Sequence, residues 1–365
     1  MAQKRKRASV GIRYSLGSGI NVLIYNDKFR PWGKLQGLFT NLPDGDWGII
    51  GCLATEERCV AAFAAMSNAR FLSERLFFDL KDKESSIASV RDEIDRKKRA
   101  NKNDLLHLGL QEEDVFCEDL MAPFSRFDTE IERYLSNLAS KNLVIDITSL
   151  PKRVFFWIVK KALNCPSSLE NIIVTYTEPE RYATGQLAEN PEEWDALPGF
   201  REARRTPSAK KLIIGVGFES LGLPSLVDAG LFSDSEIVFL MPFPAQPNRA
   251  HKNWEFVRSI FPNPADGNFV LRRVDNANLP EVYNLLLTLG ENGQIPVSFA
   301  PFGPKPVSLA MALYASRFDG DDAKTSVYYT QPTFYPPDYS IGIRTVEGQP
   351  AVTCYALRIR GQNVY

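Results

Sequence analysis

Two stretches of this chain repeat one pattern at a fixed distance. Residues 149–182 and 302–335 both contain a Pro-Lys pair, then Tyr-Thr-x-Pro, then a closing tyrosine. Each matched residue lies 153 positions from its partner (304 − 151 and 335 − 182), so no gap is needed. Self-similarity of this kind predicts an internal duplication. The matched residues are Pro151-Lys152 with Pro304-Lys305, Tyr176-Thr177 with Tyr329-Thr330, Pro179 with Pro332, and Tyr182 with Tyr335.

Short apolar runs alternate with helical patterns in both halves, which predicts parallel sheets covered by helices. The fold class is therefore α/β, with two tandem Rossmann-like parallel-sheet units. We expect a basic tail over residues 1–19, a first unit over 20–190, a connection over 191–210, and a second unit over 211–365 that ends in an edge strand. The predicted strands are 20–25, 47–53, 142–147, 171–176, 211–215, 236–240, 295–300, 326–329 and 351–360.

We expect the two halves to open alike, because Phe29-x-x-x-Gly33, which we interpret as a strand-to-helix turn, matches Phe218-x-x-x-Gly222. From this phenylalanine to the repeated lysine there are 123 positions (152 − 29) in the first half and 87 (305 − 218) in the second. The difference predicts a charged helical insertion at about 79–104. It is either a solvated surface helix, or a helix that docks a protein partner or faces nucleic acid.

Composition and charge argue against several classes of function. The chain has 365 residues and a net charge of −1, so the molecule as a whole does not attract nucleic acid. The basic run Lys4-Arg5-Lys6-Arg7 is either a solvated tail or an arm for nucleic acid contact. Five scattered cysteines without a CxxC pair, and two histidines, predict reduced thiols and no metal site. No apolar run reaches membrane-spanning length, so we expect a cytoplasmic protein with no membrane association and no cofactor.

The repeated Pro-Lys pair lies where a strand ends and a helix begins. The first turn of a helix tolerates proline, and its free N–H groups and dipole attract anions. Lys152 and Lys305 would add positive charge there, which predicts a paired anion site. Thr148 or Ser149 would cap the first helix. The alternative is that each lysine only extends along a helix end toward solvent.

Further polar and aromatic residues follow the same strands. Tyr176 and Tyr329 end the next strand of each half, where they would stack on a ligand or cover the helix. Asp146 ends an apolar strand and is matched by Phe299, so it would either bind a helix N-terminus or contact a ligand. The complete set of candidate ligand-binding residues is Asp146, Thr148, Ser149, Lys152, Arg153, Tyr176, Lys305 and Tyr329.

The segment Asp146-Ile147-Thr148-x-x-x-Lys152 resembles the ligand-binding turn of the CRISPR-associated Rossmann-fold sensor domains. The resemblance implies domains that pair across a two-fold axis and bind cyclic oligonucleotides in the shared cleft. Ser149-Leu150-Pro151 replaces the glycines usual in that turn, and the second copy keeps Lys305 without the Asp and Thr. The likeness therefore suggests a pseudo-dimeric sensor or scaffold, such as one of a prokaryotic antiviral system.

Three functions fit these observations. The first is a sensor whose two halves form one cleft for a nucleotide, cyclic oligonucleotide or other phosphate ligand. The second is an adaptor or scaffold subunit of a larger defence or nucleic-acid complex. The third is an enzyme acting on a nucleotide, with Asp146 and Glu178 or Glu180 as acid and base. The sequence contains no P-loop, GxSxG or HExxH motif and identifies no catalytic residue, so the enzyme comes last.

Overall fold

Two sheets, each built around a block of parallel strands, organise the chain. The computed structural model describes residues 12–16, 19–25, 28–39, 45–68, 72–82, 87–165, 169–200, 209–245, 249–262, 268–318 and 325–365. The predicted α/β class with Rossmann-like parallel sheets is confirmed. The basic run of residues 4–7 lies outside the described residues.

The strands of the amino-terminal half are β1 (Ile12–Leu16), β2 (Ile20–Tyr25), β3 (Lys28–Lys34), β4 (Trp47–Leu53), β5 (Leu72–Lys81), β6 (Val115–Asp119), β7 (Asn142–Asp146), β8 (Asn171–Thr177), β9 (Pro179–Tyr182), β10 (Glu189–Pro191) and β11 (Asp195–Ala196). Those that follow are β12 (Lys211–Gly215), β13 (Glu236–Phe243), β14 (Phe269–Asp275), β15 (Val297–Pro301), β16 (Thr325–Tyr329), β17 (Pro332–Phe334), β18 (Ser340–Ile343), β19 (Thr345–Val346), β20 (Gln349–Pro350), β21 (Val352–Ile359) and β22 (Gln362–Asn363).

The α-helices are α1 (Leu35–Phe39), α2 (Ala61–Asn68), α3 (Ala88–His107), α4 (Phe124–Asn137), α5 (Lys152–Asn164), α6 (Leu223–Asp228), α7 (Ala250–Ile260), α8 (Leu279–Leu289) and α9 (Lys305–Arg317). Short 3-10 turns occupy Glu57–Cys59, Glu112–Asp114 and Glu291–Gly293.

The parallel strands of the two sheets follow the same spatial order. In the first sheet the order is β6-β5-β4-β7-β8, and in the second it is β14-β13-β12-β15-β16. Numbered within each unit, both read 3-2-1-4-5, the order of a doubly wound sheet. Strands β4, β7 and β8 are buried along their whole length, because helices cover both faces of such a sheet. The shared order is what a duplication would produce, and the duplication stays a hypothesis.

Helix α5 of the first unit packs against helix α9, its counterpart in the second. Phe155, Phe156, Leu309 and Leu313 belong to one apolar cluster that runs through both units. Burying side chains of this size stabilises the fold by roughly 1.5–3 kcal/mol each. The contact brings the amino-terminal ends of both helices together.

The amino-terminal region differs from the predicted turn. Residues 29–33 lie within strand β3, which belongs to an antiparallel hairpin series with β1 and β2. Gly33 serves a close approach rather than a helix start, because a Cβ there would lie 2.2 Å from the carbonyl oxygen of Gly19. The first parallel strand is β4, so the match of Phe29 with Phe218 was wrong.

The charged segment is not an insertion. Helix α3 connects the parallel strands β5 and β6, just as α7 connects β13 and β14 in the second unit. The first parallel strands of the two units begin at Trp47 and Lys211, which are 164 positions apart (211 − 47). The Pro-Lys pairs of the two units are 153 positions apart. The true length difference over this interval is therefore 11 residues (164 − 153), and the larger figure came from the wrong starting match.

The carboxyl-terminal segment forms no edge strand of the second unit. Strand β21 lies inside the first sheet, antiparallel to β8 on one side and to β3 on the other. Its residues Cys354, Tyr355, Ala356 and Leu357 are fully buried. Alternation along a strand indicates which faces are covered but not which sheet receives it, and the chain here returns to the first unit.

Candidate functional site

A cavity of about 1500 Å³ opens between the two units. Its walls include the segments that follow parallel strands in both units, where open α/β sheets commonly bind ligands. Helix α3 and residues 176–182 close it from the first unit, and residues 216–221 and 302–306 from the second. Ligand pockets usually measure about 300–1,000 Å³, so this space would hold more than one mononucleotide.

The two repeated lysines cross between the units. The Nζ of Lys305 donates hydrogen bonds to the carbonyl oxygens of Ile147, Thr148 and Leu150, at 2.7, 2.8 and 2.8 Å. The Nζ of Lys152 donates to the carbonyl oxygen of Gly303 at 3.2 Å and lies 5.0 Å from the ring centre of Tyr329. Each lysine therefore reaches the turn that precedes the other's helix.

The two lysines differ in how many of their N–H donors are used. Lys305 uses all three of its N–H donors on carbonyl groups, so it joins the two units and has no donor left for a ligand. Lys152, within the part of the chain that the structure describes, donates only the bond to Gly303. Two donors of its ammonium group thus stay available on the cavity wall.

Both lysines are held in a low-dielectric environment. The pKa of each is lowered from 10.5 to about 7, mainly by burial and, for Lys152, also by the neighbouring positive charge of Lys305. The positive charge of Arg58 also lowers the pKa of Lys305. A nearby anion would raise the pKa of Lys152, which means that it would bind most tightly to the ammonium form.

The helix ends beside these lysines have no side-chain caps. The residue that precedes α5 is Pro151 and the one that precedes α9 is Pro304, and neither helix receives a capping hydrogen bond. The first N–H groups of a helix have no partner inside it, and the helix dipole makes that end positive. Pro151, Lys152, Pro304 and Lys305 all line the cavity.

Asp146 and Thr148 shape the turn before α5 and do not line the cavity. The Oδ1 of Asp146 accepts hydrogen bonds from the Thr148 amide at 3.2 Å and from the hydroxyls of Thr148 and Thr175 at 2.5 and 3.1 Å. The Thr148 hydroxyl also accepts from the Thr177 amide at 2.9 Å. Burial raises the pKa of Asp146 to about 6.

The other candidate residues divide into two groups. Ser149, Tyr176 and Tyr329 line the cavity with the lysines, and the Ser149 hydroxyl donates to the Cys52 carbonyl oxygen at 2.6 Å rather than capping α5. Arg153 does not line it. Its Nη1 donates to the Leu120 carbonyl oxygen at 3.2 Å, and its guanidinium lies over the rings of Phe124 and Phe127.

Arg58 is a cavity residue that sequence reasoning missed. This buried side chain pairs with the Glu56 carboxylate at 2.7 Å and donates to the Thr177 carbonyl oxygen at 3.1 Å. It also lies 5.7 Å from the ring centre of Tyr176. No motif marks it, because its position in the cavity depends on where β8 lies relative to the loop after β4.

Tyrosines form an aromatic wall beside Arg58. The hydroxyls of Tyr176 and Tyr182 are 3.2 Å apart, and Tyr182 meets Phe218 and Tyr339 edge to face. Tyr339 in turn meets Tyr335. Tyr182 and Tyr335 are a matched pair of the repeat, so this signal was visible in the sequence but was not assigned to the site.

Two of the cations that helix α3 places along the cavity, Lys98 and Lys102, are already paired. The Nζ of Lys98 contacts the Asp79 carboxylate at 2.8 Å, and that of Lys102 contacts Glu112 at 2.6 Å. At its outer side Lys97 bonds to Asp338, so the helix also contacts the carboxyl-terminal part of the chain. The helix thus covers the cavity instead of protruding from the fold.

The acid and base of the enzyme hypothesis are not brought together. Asp146 is enclosed in its turn, and Glu178 forms an ion pair with Arg344 at 2.6 Å. Glu180 lines the cavity. Over the described ranges, no group of three or more His, Cys, Asp or Glu residues is arranged to hold a metal ion. None of the helices described here combines the length and apolarity needed to cross a membrane.

Comparison with known proteins gives little beyond this geometry. No family model matches the chain. No curated protein matches it either. Among solved structures, a Type III CRISPR defence DNA nuclease activated by cyclic oligoadenylate aligns with 78% of this chain at 10% identity and a TM-score of 0.43. The chain spans 65% of the length of that nuclease chain. This is a weak structural resemblance, and the function proposed below rests on the cavity.

Proposed function

We propose that this protein binds a phosphate-bearing ligand of the nucleotide class in the cavity between its two units, as a sensor or regulatory protein. One observation carries the proposal. Lys152 holds an ammonium group with two unused donors at the amino-terminal end of α5, beside the amino-terminal end of α9, and no carboxylate bonds to it within the described residues.

The chemistry of that corner suits a phosphate. Uncapped N–H groups and an unpaired ammonium group favour an anion with several acceptor oxygens. The paired carboxylates of the cavity, such as Glu56 and Asp79, are occupied by Arg58 and Lys98 and so oppose an incoming anion less. A phosphate would therefore meet its strongest attraction at Lys152.

The remainder of the cavity suits the organic part of a nucleotide. Its volume of about 1500 Å³ exceeds what inorganic phosphate needs, and its walls include the tyrosines Tyr176, Tyr182, Tyr329, Tyr335, Tyr339 and Tyr355. Aromatic side chains offer faces and edges on which nucleobases stack. The resemblance of residues 146–152 to the cyclic-oligonucleotide turn is a reason to test cyclic ligands first.

The proposal is tested by calorimetric titration of wild type, Lys152→Ala and Lys161→Ala. The probes are adenosine 5′-monophosphate, cyclic diadenylate, cyclic tetraadenylate and a linear oligoadenylate. A charge-assisted hydrogen bond contributes roughly 1.5–3 kcal/mol, so Lys152→Ala should weaken binding at least tenfold. Lys161 lies near the other end of the same helix, paired with Asp128 and Glu132, and does not line the cavity, so its loss should leave binding unchanged.

Lys305→Ala is unsuitable as a binding variant, since that side chain joins the two units. Equal heats for wild type and Lys152→Ala across the panel would remove the ligand-binding proposal. Such a result would favour the adaptor hypothesis, and the outer face of α3 would then be the docking surface to test.

A further inference from the structure

The second-unit end of the cavity contains buried polar atoms that have no partner. They are the Nη1 of Arg249, the Oδ1 of Asn253 and the Oδ1 of Asn276. Among the described residues with such atoms, these three are the ones that line the cavity. A buried polar atom without a hydrogen bond costs about 1–3 kcal/mol, and native proteins contain few of them.

Two of these side chains, Arg249 and Asn253, are held in position by other contacts. Arg249 immediately precedes α7, donates from Nη2 to the Gly185 carbonyl oxygen at 3.1 Å and lies 5.2 Å from the ring centre of Phe218. Asn253 donates from Nδ2 to the Gly217 carbonyl oxygen at 2.8 Å. Both are at least nine-tenths buried. The unused atoms thus belong to ordered side chains of the wall and not to solvated ones.

One stretch of wall connects this cluster with Lys152. Lys152 donates to the Gly303 carbonyl oxygen, and the preceding carbonyl oxygen, that of Phe302, would lie 2.3 Å from a Cβ at Gly217. Gly217 in turn accepts the bond from Asn253. The turn that accepts the bond from Lys152 and the turn that accepts the bond from Asn253 are therefore in contact.

The unused atoms do not suit a second phosphate. Two of the three are acceptor oxygens, which repel phosphate oxygens, and the Glu219 carboxylate lies close enough to Arg249 for the two charges to interact. One donor and two acceptors on this part of the wall instead suit the edge of a nucleobase, where amino groups donate and ring nitrogen or carbonyl oxygen accepts.

We infer, on the basis of the proposed function, that the ligand is asymmetric, with a phosphate at Lys152 and a purine base edge at Arg249, Asn253 and Asn276. The base supplies donors to the two amide oxygens and an acceptor to the guanidinium group. Over the described residues, the first-unit part of the wall contains no buried side-chain atom without a hydrogen-bond partner, so the base subsite lies on the second-unit side alone.

The test compares binding of ribose 5-phosphate, adenosine 5′-monophosphate, guanosine 5′-monophosphate and uridine 5′-monophosphate by wild type, Asn276→Ala and Arg249→Lys. Lys252→Ala is the control, because this partly exposed side chain of α7 pairs with Glu255 and does not line the cavity. We expect wild type and the control to bind a purine nucleotide at least tenfold more tightly than ribose 5-phosphate. In both site variants, the ratio of the affinity for a purine nucleotide to the affinity for ribose 5-phosphate should fall at least fivefold.

Thermal stability separates this role from a structural one. Removing an acceptor that has no partner leaves nothing new unsatisfied, so Asn276→Ala should melt at or above the wild-type temperature while its base preference falls. The base subsite would be refuted if wild type bound all four probes equally. It would also be refuted if the ratio of purine-nucleotide to ribose 5-phosphate affinity were unchanged in both variants. If Lys152→Ala still lowers affinity in that case, the proposed function stands. Failure of every probe to bind in a Lys152-dependent way would overturn both.

Discussion

The two sides of the cavity share a backbone plan but differ in how their side chains are satisfied. On the first-unit side, Arg58, Lys98 and Lys102 are paired with carboxylates of the same unit. On the second-unit side, Arg249, Asn253 and Asn276 keep buried atoms without partners. The same strand order therefore supports one wall on which these three cations are paired and another on which buried polar atoms lack partners.

The repeated lysines show the same divergence at matching positions. Lys305 has a complete set of acceptors in the turn of the first unit, whereas Lys152 has one acceptor in the turn of the second. The two lysines, which the sequence presents as equivalent, therefore differ in the number of hydrogen bonds that they donate.

The largest effect should come from deleting residues 351–365, which belong to the first sheet although they follow the second unit. The deletion removes β21, leaves β3 and β8 without their shared neighbour and takes away four fully buried residues. We expect the cooperative unfolding transition to be lost, as measured by circular dichroism during heating. A truncated chain that melts within a few degrees of wild type would mean that the first unit does not depend on β21.

The next effect concerns the lysine that joins the units. Lys305→Met leaves the carbonyl groups of Ile147, Thr148 and Leu150 without their donor, which should lower the free energy of unfolding by about 3–5 kcal/mol. Lys152→Met removes one longer bond and should cost less than about 1 kcal/mol. Urea denaturation of both variants measures the difference. Equal losses would contradict the division of roles between the two lysines.

Asp146 gives an effect that depends on pH. Burial raises its folded-state pKa from 3.8 to about 6, so the fold favours the neutral carboxyl. Its contribution to stability is therefore fully present below pH 4 and is lost as pH rises through 6, by about 3 kcal/mol at most. An asparagine at position 146 is neutral at every pH, and so is Phe299, the residue that the repeat matches to Asp146.

Asp146→Asn should accordingly gain stability relative to wild type between pH 4 and 7, as followed by urea denaturation across that range. Asp92→Asn, on an exposed position of α3, is the control and should show no such trend. A difference between Asp146→Asn and wild type that does not vary with pH would show that Asp146 keeps its charge in the fold.

The smallest effect is the pH dependence of ligand binding. The pKa of Lys152 is lowered to about 7, and the ammonium form is the one that attracts phosphate. Affinity for a phosphodiester probe should therefore fall as pH rises from 7 to 9, by up to about tenfold per pH unit. Lys152→Ala should lose this slope. A steep slope that persists in the variant would assign the titration to another group, such as Lys305.

A considerable part of the fold could be predicted from local sequence. The continuous apolar runs of β4, β7, β8 and β12 indicate buried parallel strands, and the Pro-Lys pairs indicate the starts of α5 and α9. The strands β5, β6 and β14 were not predicted. β5 mixes charged with apolar residues, β6 and β14 lie at the borders of the parallel blocks, and none of the three is buried along its whole length.

The candidate site was predictable only as a region. Ser149, Lys152, Tyr176, Lys305 and Tyr329 line the cavity, and Asp146, Thr148 and Arg153 do not. Arg58 and Asn253 went unnoticed, and Arg249 was not recognised as part of the site. The position of a residue after a strand indicates which edge of the sheet it occupies, but its side chain turns toward whichever partner is nearest, and that partner is distant in sequence.

The sequence by itself determined the α/β class, the order of strands and helices along much of the chain, and the placement of two lysines at helix starts. These follow from propensities and apolar patterns that act over a few residues. Only the tertiary structure decided that β21 returns to the first sheet, that α3 covers the cavity, and that Lys305 is satisfied while Lys152 is not. Those outcomes depend on contacts between residues that are from dozens to more than 300 positions apart, and short-range patterns do not contain them.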